Sequence, residues 1–433
     1  MGTAFKMKVQ SLYEPVVAQV EGGAELSGNV VLSGFKHASN LVIAAAMLST
    51  SNVTLHNIPK IADTEYLCNV AGQLGFEQHM TGTSLKLSYT SGLPHSSITL
   101  PNADLHSPTY LIAKLSVMGG GTIAGFGGCK IGDRFPNGAE WAARYFGVTV
   151  ERLEDGGIKV SNNQIKRNPT INLGQVDPAM YSMAQKTAIL FASVYGGKIF
   201  GIRRDQEIED LLSMISTARI SEIVSSSEDS SLSFYPSESK PVEFWVSPDP
   251  LEYITFLSAL ASSGGEISFN DLPSLSCITS EINALKYLGV EIDGKKARVS
   301  KNSPPNGTMR IVSPPAYSDA LPIIGSAAAT IPGASIIIKD NIWPKRKGYA
   351  AELSRIGCNI TIGDSVEIRG TKVKGSNTLK PANLRDAAGA LIASMGLDGK
   401  TTIYGLENLN RGYDNLIPKL VDIGARIWIK KSQ

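Results

Sequence analysis

The chain has 433 residues, 42% of them hydrophobic and 18% charged, with a formal net charge of +2. That is the composition of an ordinary globular protein, long enough for two or three domains, and its near-neutral balance excludes any global attraction to nucleic acid or to a membrane surface. Cys68, Cys129, Cys277 and Cys358 form no CxxC and no pairing pattern, and the histidines are scattered. This argues against a zinc centre or a disulfide framework and fits a reducing, cytoplasmic compartment.

Residues 1–19 mix polar side chains without an apolar run, so no secretory leader is expected. The longest apolar run, 41–48, is far too short to span a bilayer. It lies in an alanine-rich stretch, 38–50, that reads as a helix, followed by a β-branched strand at 52–56. A second helix then closes at Gln73-Leu74-Gly75-Phe76, an apolar residue and a glycine leading into a strand. The same signal returns at Tyr145-Phe146-Gly147-Val148, Tyr287-Leu288-Gly289-Val290, Arg355-Ile356-Gly357-Cys358 and Asp422-Ile423-Gly424-Ala425. A degenerate copy stands at Ser216-Thr217-Ala218-Arg219-Ile220. The interval is about 70 residues throughout, which makes six units.

The units share an internal order. Small-residue helices at 188–195, 254–262, 320–329 and 386–395 precede glycine-bearing turns and the strands 198–200, 266–269 and 335–338. Helices this poor in charge suit burial against sheets, while the more polar second helices suit solvent. The unit is βαβαββ-like, and six of them give an α/β or α+β protein. Gly396-Leu397-Asp398-Gly399-Lys400-Thr401 looks like a phosphate loop but has two residues between its glycines where a P-loop has four, so it reads as a helix-to-strand turn. Gly119-Gly120-Gly121 is turn material as well. The Ser/Glu/Asp/Pro-rich stretch 225–239 reads as a solvated connection between units three and four.

Gly127-Gly128-Cys129-Lys130-Ile131-Gly132-Asp133-Arg134-Phe135 carries the chemistry of the second unit. Paired glycines allow backbone turns close to a ligand, and Lys130 and Arg134 favour a thiolate at Cys129. The same loop also reads as a glycine-rich turn with an inert cysteine.

Six units with a Gly-Gly-Cys loop in the second resemble the enolpyruvyl transferase family over nearly the whole chain, most strongly its UDP-N-acetylglucosamine branch. That branch's active loop reads GGCxIGxRP; here Pro136 falls one place late. Ser33-Gly34-Phe35-Lys36 is similar to the family's SGxK signature, and Tyr317-Ser318-Asp319 to the segment with its catalytic aspartate. Arg346 matches a family arginine, Asn383-Leu384-Arg385 the (D)LR arginine, and Arg411-Gly412-Tyr413 the RGY triplet.

The resemblance implies a two-domain inside-out α/β barrel with three repeats per domain. One domain would run over 35–241, and the other would combine 1–34 with 242–433. It implies transfer of the enolpyruvyl group of phosphoenolpyruvate to a hydroxyl by addition and elimination, with phosphate leaving and no metal or organic cofactor. Phosphoenolpyruvate carries up to about three negative charges, which arginine and lysine pair well. Lys36, Arg134, Arg346 and Arg385 would hold it, coming from both halves and completing the site on domain closure. Cys129 would be the general acid and Asp319 the base for the acceptor hydroxyl. Glu207 and Asp249 fall near further acidic positions of the family.

The acceptor side departs from the pattern. His37 stands where an asparagine follows the hinge lysine, His106 aligns with an arginine that holds the nucleotide diphosphate, and 134–139 replaces an RPVDLH-like stretch. Histidine is a weaker phosphate anchor than arginine. Phe135 could stack on a base or simply be buried. The shikimate branch fits less well: it has arginine where Leu41 stands and aspartate where Cys129 stands, although Met183-Ala184-Gln185-Lys186-Thr187-Ala188 is similar to its SAQxKSA segment. The expected acceptor is therefore a uridine nucleotide or UDP-sugar, either UDP-N-acetylglucosamine-like or uridine monophosphate as in nucleoside-antibiotic pathways. The alternatives are shikimate-3-phosphate or a catalytically dead nucleotide-binding homologue. An RNA-end cyclase would need a histidine near the C-terminus, and no histidine lies beyond His106.

Overall fold

The computed structural model describes residues 15–90, 98–102, 105–125, 127, 137–162, 164–299 and 306–430. Cys129, Arg134 and Phe135 lie outside the described residues.

Among the described residues the strands form six four-stranded sheets built to one plan. In one of them Thr170–Asn172 runs parallel to Gly197–Phe200, which pairs antiparallel with Ser231–Pro236, itself antiparallel to Ser221–Ser226. A parallel pair needs a crossover, here the helix Pro178–Tyr195, whereas the antiparallel pair needs only a tight turn. The crossover helix starts where Asp177 accepts the N–H of Ala179 at 2.8 Å and Pro178 takes the first helical position; it stops at Gly196, φ 75°. The helix Pro250–Ser263 follows the same grammar, with Asp249 as cap, Pro250 next and Gly264 at φ 81°.

The glycine that marks each repeat sits just past the second helix in the left-handed region: Gly75 at 90°, Gly147 at 73°, Gly289 at 95°, Gly357 at 100° and Gly424 at 104°. A residue without Cβ takes this conformation without penalty. In the degenerate repeat the position is held by Arg219, also left-handed at φ 53°.

The crossover helices lie inside and the sheets outside, as expected of the inside-out barrel. All ten residues of Leu321–Thr330 are buried, and this helix packs against Pro250–Ser263 and Leu384–Gly396. Small side chains on all three allow the close approach, and each buried Leu or Ile contributes roughly 1.5–3 kcal/mol.

The chain divides into two compact units, one holding the described residues up to Ser33 and from Pro248 on, the other holding those from Gly34 to Ser247. Three sheets belong to each. In the first unit, Leu26–Val30 runs parallel to Gly265–Phe269, and Val17–Glu21 lies between Lys400–Ile403 and Arg426–Lys430. In the second, Val242–Trp245 runs parallel to Val53–His56 and completes that sheet from the far end of the unit. A boundary after Pro241 therefore falls one strand early. The stretch 225–239 is also not a solvated connection. Most of it is the hairpin of Ser221–Ser226 and Ser231–Pro236, whose Leu232 and Phe234 face the core while Ser225 and Tyr235 are exposed. Gly396 to Thr401 is the helix-to-strand turn expected.

Candidate active site

In the first unit three segments deliver polar side chains to one place. Tyr317, Ser318 and Asp319 precede the buried helix Leu321–Thr330. Asn383 caps the helix Leu384–Gly396, its Oδ1 accepting the N–H groups of Arg385 and Asp386 at 3.1 Å each, so Arg385 lies in the first turn. Arg346 lies two residues before the helix Gly348–Arg355. It follows a turn in which Asp340 accepts the N–H groups of Ile342 at 3.0 Å and Trp343 at 2.9 Å.

The three expected residues of this unit meet. Arg346 Nη1 donates to Asp319 Oδ1 at 2.6 Å and to Ser318 Oγ at 3.0 Å. Arg385 donates to Asp319 Oδ2 from Nε at 3.0 Å and from Nη2 at 2.8 Å. Its Nη1 donates to the Tyr413 hydroxyl at 3.1 Å, which lies 2.8 Å from Thr255 Oγ1. The arginine side chains are 6% and 3% exposed and the Asp319 side chain 22%, so the carboxylate is the solvent-facing member of the trio. Ion contacts this sheltered are far stronger than at a surface. Each guanidinium has five donors, of which Asp319 takes only part, so the pair can hold a second anion or exchange Asp319 for one. Ser318 and Tyr413 belong to quoted motifs that assign them no role, and Thr255 belongs to none.

Asp249 stands nearby as a helix cap, accepting from Leu251 N at 2.7 Å and Glu252 N at 3.2 Å. Glu252, fully buried, accepts from Lys419 Nζ at 2.8 Å and from Ser33 N at 2.6 Å. Burial pushes its carboxyl up to about 7 against the pull of Lys419. This ties the last residue of the first unit's N-terminal segment to its core.

In the second unit Lys36 opens the helix Lys36–Ala46 and pairs with Asp63 at 3.0 Å; Asp63 is 4% exposed. His37 is half-buried with its ring edge-on to Phe35, centroids 5.4 Å apart. The His106 carbonyl accepts the Thr109 hydroxyl at 2.7 Å, and its ring lies edge-on to Tyr110 at 6.2 Å. Glu207 pairs with Lys186 at 3.4 Å, both buried. Gln185 Oε1 accepts the backbone N–H of Arg203 at 2.7 Å, so this residue of the shikimate-like segment is engaged in holding a turn. Lys36, His37 and His106 thus lie in one unit and Asp319, Arg346 and Arg385 in the other. Asp63 carries no sequence signal beyond being an acid in the first turn of Ala62–Ala71.

Among the described residues no helix is long and apolar enough to cross a membrane. The fold is shared with solved structures. The enolpyruvyl transferase NikO from Streptomyces tendae superposes with a TM-score of 0.85 at 22% identity, covering 97% of this chain and 100% of that one. The EPSP synthase from Acinetobacter baumannii gives 0.72 at 14%, covering 96% and 100%. Among curated proteins, the UDP-N-acetylglucosamine 1-carboxyvinyltransferase of Deinococcus deserti is 27% identical over 426 residues, 94% of this chain and 96% of that protein. That of Sulfurovum sp. is 27% identical over 440 residues, 96% and 99%. The model of one family, EPSP synthase (3-phosphoshikimate 1-carboxyvinyltransferase), matches residues 20–420, a span that takes in Lys36, Asp319, Arg346 and Arg385 together with five repeats and most of the sixth, and it is to this family of carboxyvinyl-transferring enzymes that the chain belongs.

Proposed function

We propose that the protein transfers the enolpyruvyl group of phosphoenolpyruvate to a hydroxyl of a uridine nucleotide or UDP-sugar, releasing phosphate. The observation that carries this reading is the buried Arg346–Arg385 pair converging on the solvent-facing Asp319. Two fixed guanidinium groups suit a small, multiply charged anion such as phosphoenolpyruvate, because each pairs with phosphate or carboxylate through two parallel donors. The nucleotide-sugar acceptor rests on the names of the relatives that match end to end.

In the proposed sequence Lys36, Arg134, Arg346 and Arg385 hold the phosphate and carboxylate. As the arginines turn to the incoming anion, Asp319 loses partners and becomes available to take the proton of the acceptor hydroxyl. That oxygen bonds to C2 of the enol while Cys129 delivers a proton to C3. Phosphate then leaves as C3 gives the proton back and the double bond reforms. Proton transfer and fixed cations suffice for both steps, so neither metal nor organic cofactor is required. His37, His106 and Phe135 are assigned to the acceptor. A shikimate-3-phosphate acceptor is the second reading, favoured by the name of the matching family model.

Phosphate release from phosphoenolpyruvate against UDP-N-acetylglucosamine, uridine monophosphate and shikimate-3-phosphate tests this. Release with either uridine compound, abolished in Cys129→Ala or Asp319→Asn, is expected. Release with shikimate-3-phosphate alone selects the second reading. Silence with all three acceptors overturns the proposed acceptor class, and unaltered turnover in both variants overturns the assigned roles.

A further inference from the structure

The first turn of Leu384–Gly396 presents two consecutive side chains with different duties. Arg385 reaches Asp319, while Asp386, 3% exposed, turns to the start of the helix Gly348–Arg355. There the Asp386 carboxylate lies against Gly348, with the Tyr349 N–H favouring its charged form, and its Oδ2 accepts Asn383 Nδ2 at 2.6 Å. The helix Gly348–Arg355 has no side-chain cap of its own. Its N–H groups and positive dipole end therefore face a carboxylate held by another helix. Gly348 makes room for this contact: a Cβ there would lie 2.3 Å from Asp386 Oδ2. Arg346 is two residues upstream of the clamped turn and electrostatically coupled to the same carboxylate. Burial pushes the Asp386 carboxyl up to about 6, against the pull of Arg346, so an acid is kept here at a cost.

We propose that Asp386 is a positioning residue: by clamping the N-terminus of Gly348–Arg355 onto the first turn of Leu384–Gly396, it sets the spacing of the Arg346 and Arg385 guanidinium groups. This rests on the reading of that pair as the seat of the substrate's anion. A clamp on the far side of Arg346 acts on anion binding and leaves the acceptor site alone.

The test combines two readouts on the full chain. In calorimetry with inorganic phosphate, Asp386→Ala binds about tenfold more weakly than wild type and Asp386→Asn, which keeps an oxygen facing the helix N-terminus, recovers part of the loss. In turnover the KM for phosphoenolpyruvate rises in parallel, while the KM for the acceptor stays within twofold. Thermal unfolding supplies a cycle with Gly348→Ala. The substitution lowers Tm in the wild-type chain, where the methyl group meets Asp386, and raises it in Asp386→Ala, where alanine is simply the better helix former. Phosphate affinity within twofold of wild type in Asp386→Ala, or equal effects of Gly348→Ala in both backgrounds, overturns the proposal. The phosphate titration and the unfolding cycle need no acceptor, so a failure of the acceptor panel is distinguishable from a failure of this clamp.

Discussion

Replacing Asp319 with asparagine separates the two duties assigned to that side chain. The carboxylate accepts three hydrogen bonds from guanidinium groups that are 6% and 3% exposed. Asparagine keeps one acceptor oxygen, places an amide donor against a cation, and removes the negative charge bonded between the two arginines. Removing one partner of a buried ion pair costs about 3–5 kcal/mol; because the Asp319 side chain retains 22% exposure, water recovers some of this, and about 2–4 kcal/mol is expected. At about 2–4 °C per kcal/mol, Tm falls by roughly 4–16 °C. The same change removes the negative charge that competes for the arginines, so an added anion finds a better site in the variant than in the wild type. A ligand at 100 times its Kd returns about 2.7 kcal/mol, enough to restore most of the loss. Thermal scans of both proteins over a series of inorganic phosphate concentrations, with sodium chloride matched for ionic strength, read both effects. Turnover with any acceptor is lost in the variant, since amide cannot serve as base. If phosphate raises Tm no more in Asp319→Asn than in wild type, the carboxylate does not occupy an anion seat. If Tm falls by less than about 2 °C, the pairing contributes far less than burial predicts.

Two further substitutions test the fold where it departs from its own rules. Arg219 is exposed and holds the left-handed position that glycine takes in the other repeats, so Arg219→Gly relieves about 1 kcal/mol of strain against a smaller entropic cost, and the urea midpoint rises. A lower midpoint would mean that the side chain, not the backbone, decides this turn. Lys114 is buried, 6% exposed, with its ammonium over the rings of Phe76 at 4.9 Å and Tyr89 at 5.8 Å, and burial pushes it down to about 8. Relative to its ordinary 10.5 this is worth roughly 3 kcal/mol against the charged form, offset by about 1 kcal/mol of cation–π attraction, so Lys114→Met stabilises at pH 7. Between about pH 8 and 10.5 the unfolded chain binds more protons at this lysine than the folded one, so wild-type stability rises with pH and the advantage of methionine shrinks. A gap that stays constant over that window would refute the assignment to the lysine charge.

The repeat is legible in the sequence because one backbone position, just past the second helix, demands a left-handed residue in every unit. Glycine meets the demand five times, and Arg219 keeps the place where the letter changes. What the period does not carry is pairing between distant strands. Val242–Trp245 belongs with Val53–His56 through a parallel register that neither segment announces, so a boundary drawn from the resemblance falls one strand short. The serine-rich hairpin misleads for a related reason. Ser231–Pro236 is an interior strand of its sheet, yet Leu232 and Phe234 are its only large apolar core residues, and the serines around them look like linker.

The candidate site divides along the same line. Asp319, Arg346 and Arg385 stand out through a family pattern, and the fold joins them across 27 and 66 residues of chain. Their supports do not stand out. Asp63, Ser318, Thr255 and Asp386 are single carboxylates and hydroxyls of a kind that lies mostly on surfaces, and even Ser318 and Asp386, which adjoin motif residues, carry no mark of their own role. Asp386 shows where such a signal could still be found. Its partner position is Gly348, at the start of a helix that glycine weakens; there the absence of a side chain is the mark of another side chain's arrival. A glycine that opens a helix without a cap of its own, close after a site arginine, points to an acid on a distant helix, and the amino-acid sequence alone is enough to begin looking for it.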